Sequence, residues 1–365
     1  MSIGHMLLDQ SGVNYLIFGG TGSLGKKLIE RLIPTSRVAV FSRDEAKHWT
    51  IKNELLSGPL AQYIDNLEFV VGDIRDAARV RDVIFKYNPE NIIVAAALKQ
   101  VDTCEFNPYE SILTNLIGTQ NVVAAASDPH CRSSQHSLRK VLFVSTDKAC
   151  SPINVYGMCK ALSERVISSQ KTPAFKGAKD IKFLCVRYGN VLDSRGSIIP
   201  LFKHQASNAQ HLTVTDPNMT RFVMTLDDSV NLIMTALSCG QTGETWIPKL
   251  PAMRIGDLAE IFSELCGKPI KVVGLRAGEK MHEDLINESE SLRTSVLRTK
   301  DSEYYVVQPA YIAGGIGRVF TYSSNDTVMS KEQLRKHLTA LGVIDMPLNQ
   351  FPGLSIEEIV TNRKD

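Results

Sequence analysis

Six short, nearly unbroken apolar runs, separated by stretches of helical periodicity, constrain the fold of this chain most. They lie at Tyr15–Phe18, Arg37–Phe41, Leu67–Val71, Asn91–Ala95, Val141–Val144 and Ile181–Val186. Strands apolar on both faces belong inside a parallel sheet that is covered on both sides. The helical patterns fall at Leu24–Ile33, Ala77–Lys86, Pro108–Ala126 and Tyr156–Ser169. This alternation predicts a doubly wound α/β sheet with its ligands at the carboxyl ends of the strands. After Asn190 the pattern breaks into Gly-, Pro- and Asn-rich segments, which predict a smaller C-terminal lobe closing over the sheet. The helical stretch Leu226–Leu237 is expected to return to the first lobe. The expected organisation is therefore residues 12–190 with 224–247 as the nucleotide-binding domain, 191–223 with 248–345 as a substrate-binding lobe, and 346–365 as a tail. The polar stretch Asp128–Arg139 reads as a surface loop.

Composition excludes several classes of function. A net charge of +2 gives no electrostatic case for nucleic acid or an anionic membrane. No apolar run approaches the ~20 residues needed to span a bilayer, and Met1–Gln10 lacks the pattern of a signal peptide. The seven cysteines are scattered with no C-x-x-C pair. No metal site or disulfide framework is expected, and a reducing cytoplasm fits.

The first strand runs straight into Gly19-Gly20-Thr21-Gly22-Ser23-Leu24-Gly25 and then a helix. Glycines at 19, 22 and 25 let the backbone turn sharply, approach a pyrophosphate and pack helix on strand. The helix start then offers free N–H groups to the phosphates. A nicotinamide dinucleotide is the expected cofactor. The second strand ends in Ser42-Arg43, with Lys47 one turn on, which favours the 2′-phosphate of NADP over NAD. Asp73, before Ile74 at the end of the third strand, suits the adenine amino group; the alternative is a helix N-cap.

The chemistry concentrates in Ser145-Thr146-Asp147-Lys148 and Tyr156-x-x-x-Lys160. Tyr156 and Lys160 share one helix face. Lys160 can hold a cofactor ribose and lower the phenol's pKa. Asp147 and Lys148, at a strand's carboxyl end, would point into the crevice; the competing reading is a turn cap with a surface lysine.

At this level of detail the chain resembles a known family. The matching segments include the Gly loop, Gly72-Asp73-Ile74-Arg75-Asp76, Ala95-Ala96-Ala97-Leu98-Lys99, Thr114-Asn115-x-x-Gly118-Thr119 and Ser145-Thr146-Asp147-Lys148-Ala149-x-x-Pro152. Further on are Arg187-Tyr188-Gly189-Asn190-Val191, Ser194-Arg195-Gly196, Met219-Thr220-Arg221-Phe222 and Gly278-Glu279-Lys280-x-His282-Glu283. Together they are similar to the extended short-chain dehydrogenase/reductases with a Rossmann-type sheet, specifically the UDP-N-acetylglucosamine 4,6-dehydratases (inverting). The likeness runs from about Asn14 to beyond Tyr322.

The resemblance implies a mechanism. Tyr156 takes the proton of the sugar's 4-hydroxyl while hydride leaves carbon 4, and Thr146 hydrogen-bonds that oxygen. Lys148, neutral in a closed site, removes the carbon-5 hydrogen, and protonated Asp147 serves the leaving 6-hydroxyl. Hydride then returns to carbon 6, and protonation of carbon 5 from the opposite face inverts it. Related hexose dehydratases carry Asp-Glu at this pair; Asp-Lys marks this branch. The resemblance also adds Ala95, Ala96, Ala97 and Lys99 to the cofactor site. Asn190, Arg195, Arg221, Arg276 and Glu279 join the UDP-sugar site, where Lys99 could serve instead. It implies a homo-oligomer as well.

Phe18, Asp193 and Ala277 depart from the family's usual Thr, Gly and Pro, and the 128–139 loop is longer. A 4-epimerase or a retaining dehydratase on the same fold is the near alternative. A non-catalytic nucleotide-binding scaffold is the alternative of another class.

Overall fold

The computed structural model describes residues 13–170, 179–192, 197–299, 302–312 and 319–344. The six apolar runs become parallel neighbours in one sheet: β1 (Tyr15–Phe18), β2 (Val38–Ser42), β3 (Leu67–Val71), β4 (Asn91–Val94), β5 (Lys140–Val144) and β6 (Lys182–Val186). β1 lies between β2 and β4, with Ile17 opposite Val40 on one side and Ile93 on the other. Chain order reverses there, so a crevice opens at the carboxyl ends of β1 and β4. The central strands are buried, whereas β3, at the sheet's edge, exposes Glu68 and Val71.

The helices α1 (Ser23–Leu32), α2 (Glu45–Leu56) and α3 (Ala77–Tyr87) follow β1, β2 and β3 in turn. Asp44 and Asp76 cap α2 and α3 by accepting the N–H of Lys47 and Arg79. After β4 come α4 (Val101–Phe106), α5 (Pro108–Ser111) and α6 (Gly118–Ala126), the last two joined by a π-helical turn at Ile112–Ile117; α7 (Val155–Ser168) follows β5. Asn115, in the wide π turn, accepts from Leu98 N–H at 2.8 Å and donates to the Leu98 carbonyl at 2.9 Å. That pair pins the strand-end segment entering the crevice.

Beyond β6 the chain forms β7 (Asn190–Val191), α8 (Ile198–Asn208), β8 (Leu212–Val214), β9 (Thr220–Met224) and α9 (Leu226–Cys239). Then come β10 (Thr245–Pro248), β11 (Ala252–Arg254), α10 (Ile255–Cys266), β12 (Ile270–Val272) and β13 (Asp284–Ile286). The remainder is α11 (Glu288–Ser291), β14 (Thr294–Arg298), β15 (Glu303–Val307), β16 (Tyr322–Ser323) and α12 (Lys331–Ala340). A separate apolar core, built on Phe202, Leu212, Phe262, Leu334 and Leu338, holds α8, α10 and α12 together.

Two expectations are corrected. Among the described residues the large sheet has nine strands, because β10 pairs with β6 and β15 and β14 add beyond it. Residues 294–307, read as part of the smaller lobe, thus extend the first domain's sheet. The 128–139 segment is not simply a surface loop: Cys131, His136 and Leu138 are buried, Cys131 and Leu138 within the sheet's core. Its polar composition hid these anchors. The expected tail, 346–365, lies outside the described residues.

Candidate active site

The strand direction of β5 continues past Val144. Ser145 N–H bonds the Val186 carbonyl at 2.8 Å, and Asp147 N–H bonds that of Tyr188 at 3.0 Å. Side chains of Thr146 and Asp147 are thereby fixed at the sheet's carboxyl edge. A 3₁₀ turn at Asp147–Ala149 then swings the chain towards α7. Asn154 caps α7 by accepting Gly157 N–H at 2.7 Å, and Glu105 accepts Val155 N–H at 2.6 Å. This brings Tyr156 alongside the turn, so every candidate catalytic residue converges at one place.

Thr146 Oγ1 donates to Asp147 Oδ1 at 2.9 Å and also hydrogen-bonds the Tyr156 hydroxyl. Lys148 Nζ sits 3.1 Å from Asp147 Oδ1 and 3.1 Å from Glu283 Oε1. Burial disfavours the Lys148 ammonium, but the two carboxylates outweigh it and raise its pKa above the ordinary value. The two carboxylates thus favour the ammonium form of Lys148 in this arrangement. Burial pushes the Tyr156 phenol well above its usual pKa, opposed by the Lys148 charge and the Thr146 hydrogen bond. The Lys148 ammonium is a cation that favours the phenolate.

Lys160 is wholly buried. Its Nζ donates to the Val144 carbonyl at 2.9 Å and lies 4.4 Å from the centre of the Phe143 ring. Burial lowers its pKa to about 8, with Glu164 pulling the other way. Asp147 Oδ2, Glu283 Oε2, Ser145 Oγ and Asn190 Oδ1 are buried without a hydrogen-bond partner among the described residues. Such atoms are costly unless something pairs with them, so this cluster fits a polar ligand.

Glu283 was not singled out from sequence. It sits inside Gly278-Glu279-Lys280-x-His282-Glu283, where Glu279 drew the assignment instead. The available signal was an acid two positions before Leu285-Ile286, an apolar pair bound for burial. The segment docks on the catalytic turn: Lys280 Nζ donates to the Cys150 carbonyl at 2.7 Å, and Asn154 Nδ2 donates to that of Gly278 at 2.8 Å. His282 Nδ1 meets Thr220 Oγ1 at 2.8 Å.

The glycine loop is shaped for a phosphate. Gly19 has φ +85°, and a Cβ there would stand 2.5 Å from the backbone of Ala96, so only glycine fits. Gly25 packs directly on the backbone of Gly20. Gly22 is the N-cap of α1 and supplies no side-chain cap, so the first-turn amides beside Thr21, Ser23 and Leu24 face the crevice as donors. Ala95, Ala96 and Ala97 line the facing strand end with small side chains. These residues fit the diphosphate of a dinucleotide.

At the adenosine end, Ser42 Oγ meets His48 Nε2 at 2.7 Å, and Arg43 is half exposed, 3.8 Å from Asp73. Lys47 pairs with Asp44 at 2.9 Å. The Asp73 carboxylate accepts from Arg75 Nη2 at 2.6 Å and from Arg75 N–H at 2.9 Å. The N-cap alternative for Asp73 falls instead to Asp76. Ile74 is buried, against Gly118.

The expected sugar-nucleotide residues spread more widely. Asn190 pairs in β7 with Val223, while Arg221 in β9 donates to the carbonyls of Thr220 and Met281 at 2.7 and 3.2 Å. Arg276 lies in an exposed loop, its N–H bonded to Glu279 at 3.2 Å. Lys99 follows β4, next to the segment pinned by Asn115. Arg195 and Asp193 lie outside the described residues. Among the described residues no cluster of His, Cys, Asp or Glu could hold a metal, and no helix is long and apolar enough to cross a membrane. The seven cysteines are free thiols.

A family model described as "Polysaccharide biosynthesis protein" matches residues 15–308. The chain is 37% identical to the UDP-N-acetylglucosamine 4,6-dehydratase (inverting) of Campylobacter jejuni, over 81% of this chain and 83% of that protein. It is 38% identical to the UDP-glucose 4-epimerase of Rickettsia typhi, over 77% of this chain and 80% of that protein. Among solved structures it is similar to Pen from Bacillus thuringiensis, with a TM-score of 0.79 and 35% identity over 90% of this chain and 98% of that one.

Proposed function

This chain belongs to the polysaccharide biosynthesis family of extended short-chain dehydrogenase/reductases, and from that premise we propose that it is an NADP-dependent UDP-N-acetylglucosamine 4,6-dehydratase that also inverts carbon 5. The observation that carries this reading is the buried contact of Asp147 and Lys148 beside Tyr156. Oxidation at carbon 4 alone needs Tyr156, Thr146 and Lys160. Loss of water needs two more groups, an acid at oxygen 6 and a base at carbon 5, and the Asp147–Lys148 pair provides both types.

When bound, NADP would accept the hydride of carbon 4 and return it to carbon 6. The chain's own residues do the rest. Tyr156 removes the 4-hydroxyl proton, with Thr146 holding both oxygens in place. Lys148 takes the carbon-5 proton once it has shed its own, and Asp147 gives its proton to the leaving 6-hydroxyl. Gly19, Gly22 and the first-turn amides of α1 hold the diphosphate, Lys160 the ribose, and Arg43 with Ser42 the 2′-phosphate. Asn190, Arg221, Arg276, Glu279, Lys99 and Arg195 are assigned to UDP-sugar.

The product, a UDP-2-acetamido-2,6-dideoxy-hexos-4-ulose, would serve surface-glycan or flagellin sugar synthesis in the cytoplasm. Phe106, Tyr109, Ile112, Met158 and Leu162 expose large apolar side chains on α4, α5, the π turn and α7, which supports a homo-oligomer.

The second reading is a 4-epimerase, favoured by the similarity to the Rickettsia typhi protein of that name. Incubation with UDP-GlcNAc and catalytic NADP separates the two. A dehydratase gives a product lighter by one water; an epimerase gives one of unchanged mass; a scaffold gives none.

A further inference from the structure

We propose that Glu283 is a positioning residue of this acid–base centre: it holds the amine of Lys148 beside Asp147 and receives its proton, so that Lys148 can act as base while Asp147 stays an acid. This deepens the dehydratase reading and rests on it. The geometry begins with placement. Glu283 is 2% exposed, its Oε1 lies 3.1 Å from Lys148 Nζ, and its Oε2 has no other hydrogen-bond partner among the described residues. Its backbone is fixed on both sides, since Glu283 N–H donates to Ser324 Oγ at 2.9 Å and the Glu283 carbonyl accepts Ser324 N–H at 2.8 Å. Arg187, bonded to Glu164 of α7 and to Glu290 at 2.8 Å, ties the helix of Tyr156 and Lys160 to the segment just after Glu283. A carboxylate anchored this firmly is aimed, not merely nearby.

Charge balance then gives it a task. The charged and titratable groups facing Lys148 and Glu283 are Asp147 on the turn, Arg221 on β9 and Tyr156 on α7. A buried ammonium needs a carboxylate partner, and Lys148 lies against two carboxyls. With Asp147 protonated as the acid, Glu283 is the counter-ion. Burial raises the Glu283 pKa, which narrows the gap for accepting a proton.

The step balances. An N–H bond of Lys148 breaks, an O–H bond forms on Glu283, and ammonium with carboxylate becomes amine with carboxylic acid; no electrons are exchanged. Lys148 then takes the carbon-5 proton, and the Asp147 proton leaves with the 6-hydroxyl as water. The Glu283 proton passes back through Lys148 to Asp147, and the proton Tyr156 took from the 4-hydroxyl goes to carbon 5, which restores the starting state.

The test is Glu283→Gln with NADP and UDP-GlcNAc in heavy water. Gln keeps the shape and a hydrogen-bond acceptor but cannot take the proton. Binding of NADP and UDP should be unchanged, and carbon-5 exchange should fall at least ~100-fold at neutral pH. The remaining rate should climb with pH, because the Lys148 proton must now leave to solvent, whereas the wild-type profile stays flat there. If Glu283→Gln does not fold, Glu283→Asp takes its place. It should exchange more slowly but keep the flat profile, and a tilted profile in a folded Asp variant would overturn the proposal. Exchange at the wild-type rate and pH profile in Glu283→Gln would overturn it alone. A wild-type protein that never exchanges carbon 5 would overturn the dehydratase reading and the proposal with it.

Discussion

Lys148 and Gly157 meet backbone to backbone: a Cβ on Gly157 would overlap the Lys148 carbonyl oxygen and would also crowd Asn154 Oδ1 at 3.1 Å. The turn that carries the acid–base pair and the helix that carries Tyr156 are thus in register only because residue 157 has no side chain. Gly157→Ala should destabilise the protein by the ~1–3 kcal/mol of an overpacked site. Dehydration should fall further than the folded fraction does, since Asp147 and Lys148 must shift. Urea unfolding alongside turnover measures both, and full activity at unchanged stability would contradict the contact.

The proposed preference for NADP rests on Arg43. Arg43→Ala should weaken NADP binding by the ~1.5–3 kcal/mol of a charge-assisted hydrogen bond and leave NAD binding nearly unchanged. Equal losses for both cofactors in a binding titration would remove the assignment.

Tyr156→Phe keeps the ring and removes the proton acceptor. Oxidation at carbon 4, followed as reduced cofactor in a single turnover, should slow by ~10²–10⁴-fold while UDP-sugar affinity holds. Normal dehydration by this variant would place the base elsewhere.

Lys160 gives a pH dependence with a definite sign. Burial lowers its pKa to about 8, so the ammonium form is lost as pH rises through that value. If the ammonium holds the cofactor ribose, NADP affinity should weaken above about pH 8, and Lys160→Met should abolish that trend. A wild-type affinity that is flat across this range would separate Lys160 from the cofactor.

The reach of the sequence follows the reach of its local rules. Strand and helix positions, the Gly loop, and Thr146, Asp147, Tyr156 and Lys160 were legible because each depends on periodicity or spacing within a few residues. The partner of Lys148 was not, because Glu283 is 135 positions away and only the docking of the 278–283 segment onto Cys150 and Asn154 brings it near. The electrostatic setting of Lys148 was hidden for the same reason: two carboxylates, one of them distant, oppose what burial alone would do. The strands β14 and β15 were missed because they pair antiparallel, outside the βαβ rhythm that revealed the others.

The central claim is that this site eliminates water, and Lys148 carries it. Lys148→Met keeps much of the apolar stem and removes the amine. In heavy water with NADP and UDP-GlcNAc, the variant should still bind nucleotide and sugar and should still reduce the cofactor transiently. Exchange of the carbon-5 hydrogen should nearly vanish, and dehydrated product with it. Carbon-5 exchange at close to the wild-type rate would contradict the account and favour the 4-epimerase.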